Sequence, residues 1–300
     1  MIHVQGLSKR YNKGDPPAID SIDMDINDSE IVGFVGLNGA GKTTAIRAII
    51  GAVLPTAGSV SIDGHDIVRE KRLASMGVGW IPETPVYNAD AKALSLLKYF
   101  AGFFGIPRDK AEKRATDLLE RLSLKDHMNK KVMNFSQGMK KRFAIAAAMI
   151  HDPGNYLFDE TLNGIDAEGV ELVRTIIHDL KKDGKAILLS SHILNEIEDS
   201  ADRVVIIDRG KIIDSISMEN LRNMATTRVE LTVTNIDGNV SEILQKYGNI
   251  EINNSRIIIT GRDIKASEIN NDLVKKGYNV NGIRSETLEN YFLNLVRDRK

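Results

Sequence analysis

Short apolar runs alternate with stretches of helical periodicity over the first 220 or so residues, the rhythm of an α/β domain. Ile31-Val32-Gly33-Phe34-Val35 contains no polar side chain and predicts a strand buried on both faces. Tyr156-Leu157-Phe158, Ala186-Ile187-Leu188-Leu189 and Val204-Val205-Ile206-Ile207 predict further core strands by the same criterion. Thr43 to Ile50 reads as a helix. Ala93 to Phe104 sets Leu96, Leu97, Phe100, Phe103 and Phe104 at helical spacing, and Lys110 to Leu122 follows as a second helix. Together these predict a helical insert over about residues 85–150.

Beyond residue 227 the pattern changes. It reads strand (Arg228–Thr234), helix (Val240–Tyr247), strand (Ile250–Ile252), strand (Arg256–Thr260), helix (Ile264–Lys275) and strand (Tyr278–Ile283), the βαββαβ order of a ferredoxin-like domain. A last helix is expected over Glu286 to Val296. The short polar segment Met224-Ala225-Thr226-Thr227 suits a linker, which divides the chain into residues 1–222 and 227–300. All seven prolines lie at or before Pro153, while Asn crowds the last quarter. That asymmetry fits a change of domain or a drift in base composition equally well.

Composition narrows the chemistry. Lys and Arg number 40 against 41 Asp and Glu, a formal net charge of -1, so a broad cationic grip on nucleic acid is not expected. With 42% apolar and 27% charged residues the chain reads as globular, and its longest useful apolar stretch, Phe143 to Ile150, is short of a membrane span. The opening Met1-Ile2-His3-Val4-Gln5 enters a strand-like segment and does not resemble a signal peptide. The absence of Cys excludes disulfides, thiolate metal sites and cysteine nucleophiles, and is compatible with a cytosolic protein.

The sharpest chemical signal is Gly36-Leu37-Asn38-Gly39-Ala40-Gly41-Lys42-Thr43-Thr44, which fits G-x-x-x-x-G-K-[ST] between a predicted buried strand and a predicted helix. Glycines at 36, 39 and 41 let backbone N–H groups wrap phosphate oxygens, and the helix start adds its positive dipole end. Lys42 is expected to reach the β- and γ-phosphates, Thr43 to ligand Mg²⁺ and Thr44 to donate to a phosphate oxygen. Asp159-Glu160 ends a buried strand. Asp159 there can hold Mg²⁺ through water, and Glu160 can accept a proton from an attacking water.

These residues, with Phe135-Ser136-Gln137-Gly138-Met139 before a helix, resemble the ATP-binding subunit of an ABC transporter, whose signature is L-S-G-G-Q. The resemblance covers about residues 1–220. It implies a P-loop NTPase core with an N-terminal antiparallel β-subdomain and a helical insert. It also implies a head-to-tail homodimer or heterodimer, in which Ser136, Gln137 and Gly138 of one subunit close on the γ-phosphate held by the other. On the same likeness Tyr11 matches the aromatic that stacks on adenine. Asp166, in Asn163-Gly164-Ile165-Asp166, belongs to the loop that crosses to the partner, and His192 matches the switch histidine that contacts the γ-phosphate.

Several positions depart from the family's commonest pattern. Glu83 stands where many members have a Gln that contacts Mg²⁺ and water, Thr161 replaces a Pro, and Gln137 and Met139 alter the signature. Phe135-Ser136-Gln137-Gly138-Met139-Lys140-Lys141-Arg142 is similar to the Y-S-x-G-M-K-Q-R form of type-2 exporters of drugs, peptide antibiotics, bacteriocins or surface polymers. Glu286-Thr287-Leu288-Glu289-Asn290-Tyr291-Phe292 is similar to that branch's S-L-E-D-V-F segment. The implied function is an ATPase that uses ATP and Mg²⁺ to power export through a separate integral-membrane permease, peripheral on the inner face of the membrane. A nutrient importer subunit and a non-transport ATPase acting on ribosomes or DNA are the competing readings. Asn12-Lys13-Gly14-Asp15 fits the guanine-reading N-K-x-D pattern, but no buried strand leads into it, so it reads as a turn.

Overall fold

A computed structural model of the chain describes all residues except 88–89, 225–226, 235, 262–263 and 286–300. The expected last helix and its Glu286–Phe292 segment, and the centre of the expected linker, lie outside the described residues.

The chain forms two compact units, Met1–Ile216 and Ser217–Lys300. The first contains β1 (Ile2–Lys9), β2 (Ile19–Ile26), β3 (Ile31–Val35), α1 (Lys42–Ile49), β4 (Ala57–Ile62), β5 (His65–Asp66), α2 (Lys71–Met76) and β6 (Val78–Ile81). It continues with α3 (Ala93–Phe103), α4 (Arg108–Arg121), α5 (Gln137–Met149), β7 (Asn155–Asp159), α6 (Ala167–Lys182), β8 (Ala186–Ser191), β9 (Arg203–Asp208) and β10 (Lys211–Ser217). The second comprises α7 (Met218–Met224), β11 (Thr227–Thr234), α8 (Asn239–Leu244), β12 (Asn249–Asn253), β13 (Arg256–Gly261), α9 (Ala266–Lys275) and β14 (Asn279–Ser285). The division thus falls ahead of α7, whereas the sequence boundary of 222–227 begins within that helix.

Two sheets build the first unit. One has the order β2-β1-β4-β5, with antiparallel pairing between each neighbouring pair. In β2 the alternation Ile22, Met24, Ile26 sends apolar side chains inward while Asp23 and Asp25 face out, and Ile19 is buried beyond a break in the register. The other is six-stranded, β10-β9-β3-β8-β7-β6, and its central strands pair in parallel. The five residues of β3 are buried, as both-face coverage in a parallel sheet requires. A single core joins Ile2, Val4 and Ile19 of the first sheet to Val32, Leu157 and Leu188 of the second, with Ala45, Ile46 and Ile49 of α1 between them. Each large aliphatic side chain withdrawn this way contributes about 1.5–3 kcal/mol.

α3, α4 and α5 supply the helical insert. Leu96, Leu97 and Ala101 face inward on α3, but Phe103 is 70% exposed, stacked edge-on against exposed Tyr99 one turn earlier. Helical spacing sets Phe103 in series with Leu96, Leu97, Phe100 and Phe104 without saying which of them face the core. Only the tertiary neighbours reveal that the helix carries a second, outward aromatic row. α6 ends its register cleanly: the Asp166 carboxylate accepts from Gly169 N at 3.1 Å, and Lys181 and Lys182 sit at the negative end of the dipole.

The second unit has the sheet order β12-β13-β11-β14, antiparallel throughout. With helices between β11 and β12 and between β13 and β14, this is the ferredoxin-like arrangement. Val229, Leu231, Val233, Ile257 and Ile259 form one face of its core, and Val240, Leu244, Ile269 and Leu273 of the two helices cover it.

Candidate functional site

β3 delivers the chain into the Gly36–Gly41 loop, and α1 begins at Lys42. Two glycines there are demanded by geometry. A Cβ on Gly36 would lie 2.4 Å from the Ile207 carbonyl oxygen, so this position requires closeness to β9 rather than an unusual dihedral. Gly41 has φ 110°, and a Cβ would also meet Ala18 O at 2.6 Å. Because Gly41 is the cap of α1, no side chain accepts the first N–H groups of the helix, which remain available to an anion.

Lys42 is 4% exposed, and its ammonium donates to Gly36 O at 2.7 Å and lies 3.0 Å from Glu160 Oε1. The Thr43 hydroxyl donates to Asp159 Oδ1 at 3.4 Å. Ser190, opposite Asp159 in the β7–β8 pairing, donates to the same oxygen at 3.0 Å and accepts from Glu160 N at 3.0 Å. Burial pushes the Asp159 pKa up. The Ser190 and Thr43 hydrogen bonds oppose that shift, and the charges of Glu160 and Glu83 add to it.

Glu160 has a left-handed backbone, φ 44°, which is strained for a residue with a side chain. Its carboxylate is held on several sides: Asn163 Nδ2 donates to Oε2 at 3.0 Å, and His192 Nδ1 lies 3.1 Å from the same oxygen. Lys42, Thr43, Thr44, Asn38, Gly39, Gly41, Glu83, Glu160, Asn163 and His192 surround one cavity of about 510 Å³. Gly36, Leu37 and Ala40 stand behind it; Leu37 O accepts from Lys42 at 3.4 Å, and Ala40 O accepts from Gly210 N at 2.9 Å.

The remaining expected residues lie elsewhere in the chain. Tyr11 is 54% exposed, with its hydroxyl 3.4 Å from Thr44 Oγ1 and the Lys9 ammonium 5.3 Å from its ring centroid. Ser136 caps α5, its Oγ accepting from Met139 N at 3.2 Å, and a Cβ on Gly138 would meet nothing within 4 Å. Neither Ser136 nor Gly138 is among the residues around the 510 Å³ cavity. Gln137 borders a neighbouring cavity of about 400 Å³, along with Glu83, Tyr87, Lys140, Lys141 and Asn163. Asp166 serves as the α6 cap.

Residue-by-residue reading missed three members of the site. Ser190 and Asn163 orient the two carboxylates, and buried Lys141 donates to the carbonyls of Glu160 and Thr161 at 3.4 and 3.1 Å and also to that of Asn163. A signal for Lys141 existed in the pattern. Lys141, Ala144, Ile145 and Ala148 recur at helical spacing, and all four are buried.

Mg²⁺ fits this donor set. A threonine hydroxyl and a buried carboxylate adjoin, and both are the hard oxygen donors that this cation takes.

A glycine cradle, a buried lysine and a hydroxyl–carboxylate pair at the C-terminal ends of parallel strands define a nucleoside triphosphatase of the P-loop class. Residues 19–163 match the family described as ABC transporter. The ABC transporter ATP-binding protein NatA of Bacillus subtilis (strain 168) is 36% identical over 225 residues, which span 74% of this chain and 91% of that protein. The bacitracin transport ATP-binding protein BcrA of Bacillus licheniformis is 32% identical over 302 residues, 99% of this chain and 97% of its own. A solved ATP-binding subunit of an ABC transporter superposes with a TM-score of 0.69 at 29% identity, over 74% of this chain and 92% of that one. The chain belongs to the ABC transporter ATP-binding proteins, and it is an ATPase subunit of that family.

Proposed function

We propose that this subunit powers export of a peptide antibiotic or similar amphipathic compound, acting at the inner face of the cell membrane. The observation that carries this reading is the likeness over 99% of the chain to a bacitracin transport ATP-binding protein, which extends through the second unit as well as the ATPase unit. In this reading ATP lies with adenine against Tyr11 and its phosphates in the Gly36–Thr44 loop, including Leu37, Asn38, Gly39 and Ala40. Lys42 leaves Glu160 for the β- and γ-phosphates. Thr43 and Asp159, with Glu83 beside them, would hold Mg²⁺, which would supply positive charge to the phosphate oxygens. Glu160 orients the attacking water and takes its proton, and His192 touches the γ-phosphate. Ser136, Gln137 and Gly138 serve the nucleotide of a second copy or a related subunit, and the Asp166 loop faces that partner.

The test is functional. Cells expressing the chain with the permease that co-purifies with it should survive bacitracin and related peptides at severalfold higher concentration than cells carrying Glu160→Gln. Inside-out vesicles from those cells should take up labelled drug when ATP is added. ATP-driven uptake in the opposite orientation, or sedimentation with ribosomes in place of membranes, would overturn the reading.

A further inference from the structure

Lys141 lies in the second turn of α5, is 7% exposed, and presents its ammonium to the chain leaving β7. All three N–H donors of a lysine have acceptors here: the carbonyls of Glu160 at 3.4 Å, of Thr161 at 3.1 Å and of Asn163. That turn holds a strained backbone, because Glu160 sits at φ 44°. The turn's own hydrogen bond is long, with Asn163 N donating to Glu160 O at 3.4 Å. Lys141 therefore supplies the charge-assisted bonds that gather carbonyls otherwise pointing their dipoles at one another. From the same turn the Asn163 side chain reaches back and donates to Glu160 Oε2 at 3.0 Å.

We propose that Lys141 is a positioning residue for ATP hydrolysis, fixing the Glu160 carboxylate through the backbone of residues 160–163 and the Asn163 amide. The inference deepens the role given above to Glu160 and rests on it. A buried cation is costly unless matched, and an apolar side chain of similar length would pack as well at less desolvation cost. The cation is matched here by backbone dipoles and by the nearby charges of Glu83, Glu196 and Glu160, which counter the lowering of its pKa by burial. Its purpose is then geometric: a carboxylate that must orient water loses much of its effect when displaced by about 1 Å.

Steady-state ATPase kinetics of the full chain decide the matter. Lys141→Met should lower kcat roughly 10- to 100-fold while KM for ATP moves less than about threefold, because nucleotide contacts are left in place. Since Lys141 acts through Glu160, adding Lys141→Met to Glu160→Gln should cause no further loss. A kcat for Lys141→Met within about twofold of wild type, or losses that multiply in the double variant, would overturn the proposal. Should Lys141→Met fail to fold, Asn163→Ala cuts the side-chain link with Lys141 intact, and an unchanged kcat there overturns it equally. Full turnover by Glu160→Gln alone would instead remove the underlying role of Glu160.

Discussion

Asp159 accepts from two hydroxyls, is 1% exposed, and lies near two further carboxylates. Burial raises its pKa above the ordinary 3.8, so the folded protein holds this proton more tightly than the unfolded chain does. Ionising Asp159 therefore costs stability. The cost is absent below the ordinary value, grows as pH rises through the raised one, and is constant above it. Asp159→Asn should raise the Tm of the nucleotide-free protein by a few degrees at alkaline pH, lose that gain as pH falls to about 3, and abolish ATP turnover. Scanning calorimetry across that range checks it; a lowered Tm at alkaline pH would show that hydrogen bonding outweighs desolvation. At this scale the motif residues were legible because their spacing is local. Ser190 was not, because its meaning arises only when β8 lies beside β7 and brings one hydroxyl between Asp159 and the Glu160 amide. Nor does any local pattern announce the left-handed backbone of Glu160, which follows from the turn that Lys141 gathers.

Elements were legible where their pattern is self-contained and obscure where a distant partner completes it. β3, α1 and the βαββαβ succession follow from apolar runs and spacing. The pairing of Ile2 with both Ile26 and Ile62, and the irregularities within β1, depend on strands far along the chain. The joint between α3 and α5 is another long-range case. The His151 ring stacks on Phe104 at 3.7 Å between centroids and 2° between planes, tying the ends of the two helices. Burial lowers the His151 pKa from 6.5 to about 4, so below 6.5 the unfolded chain takes up a proton that the folded one refuses. Stability is therefore lost progressively as pH drops through that window. His151→Phe keeps the aromatic stack and removes the titration, so urea midpoints should fall less between pH 7 and pH 4.5 than in wild type. Parallel acid limbs in the two proteins would assign the loss to other groups.

For the whole molecule, the two units have separate cores, with no residue shared between the one built on Val32 and Leu188 and the one built on Val229 and Leu231. Every residue around the 510 Å³ cavity precedes Ser217. A chain ending at Ser217 should therefore fold and bind a fluorescent ATP analogue with the affinity of the full protein. Loss of binding by a truncation whose circular dichroism remains native would show that the second unit supports the site. Composition puts the boundary at 222–227, beginning within α7, because Met224-Ala225-Thr226-Thr227 reads as a linker. Packing assigns α7 to the later unit, which composition alone does not reveal.

The pairing of Asp159 with Ser190 also decides where such a chain tolerates a change of length. Neighbouring residues of a strand point to opposite sides, so one residue gained between Ala186 and Ser190 would swing the serine away and detach Asp159 and the Glu160 amide together. The same addition at the Asp183-Gly184 turn, upstream of the strand, would disturb the α6 cap, where Gly184 has φ 83° and Lys185 N donates to Leu180 O, but would leave the β7–β8 register free to re-form. Insertions and deletions in this protein should accordingly collect in its turns and be purged from the two adjacent strands, even at positions whose side chains touch no nucleotide.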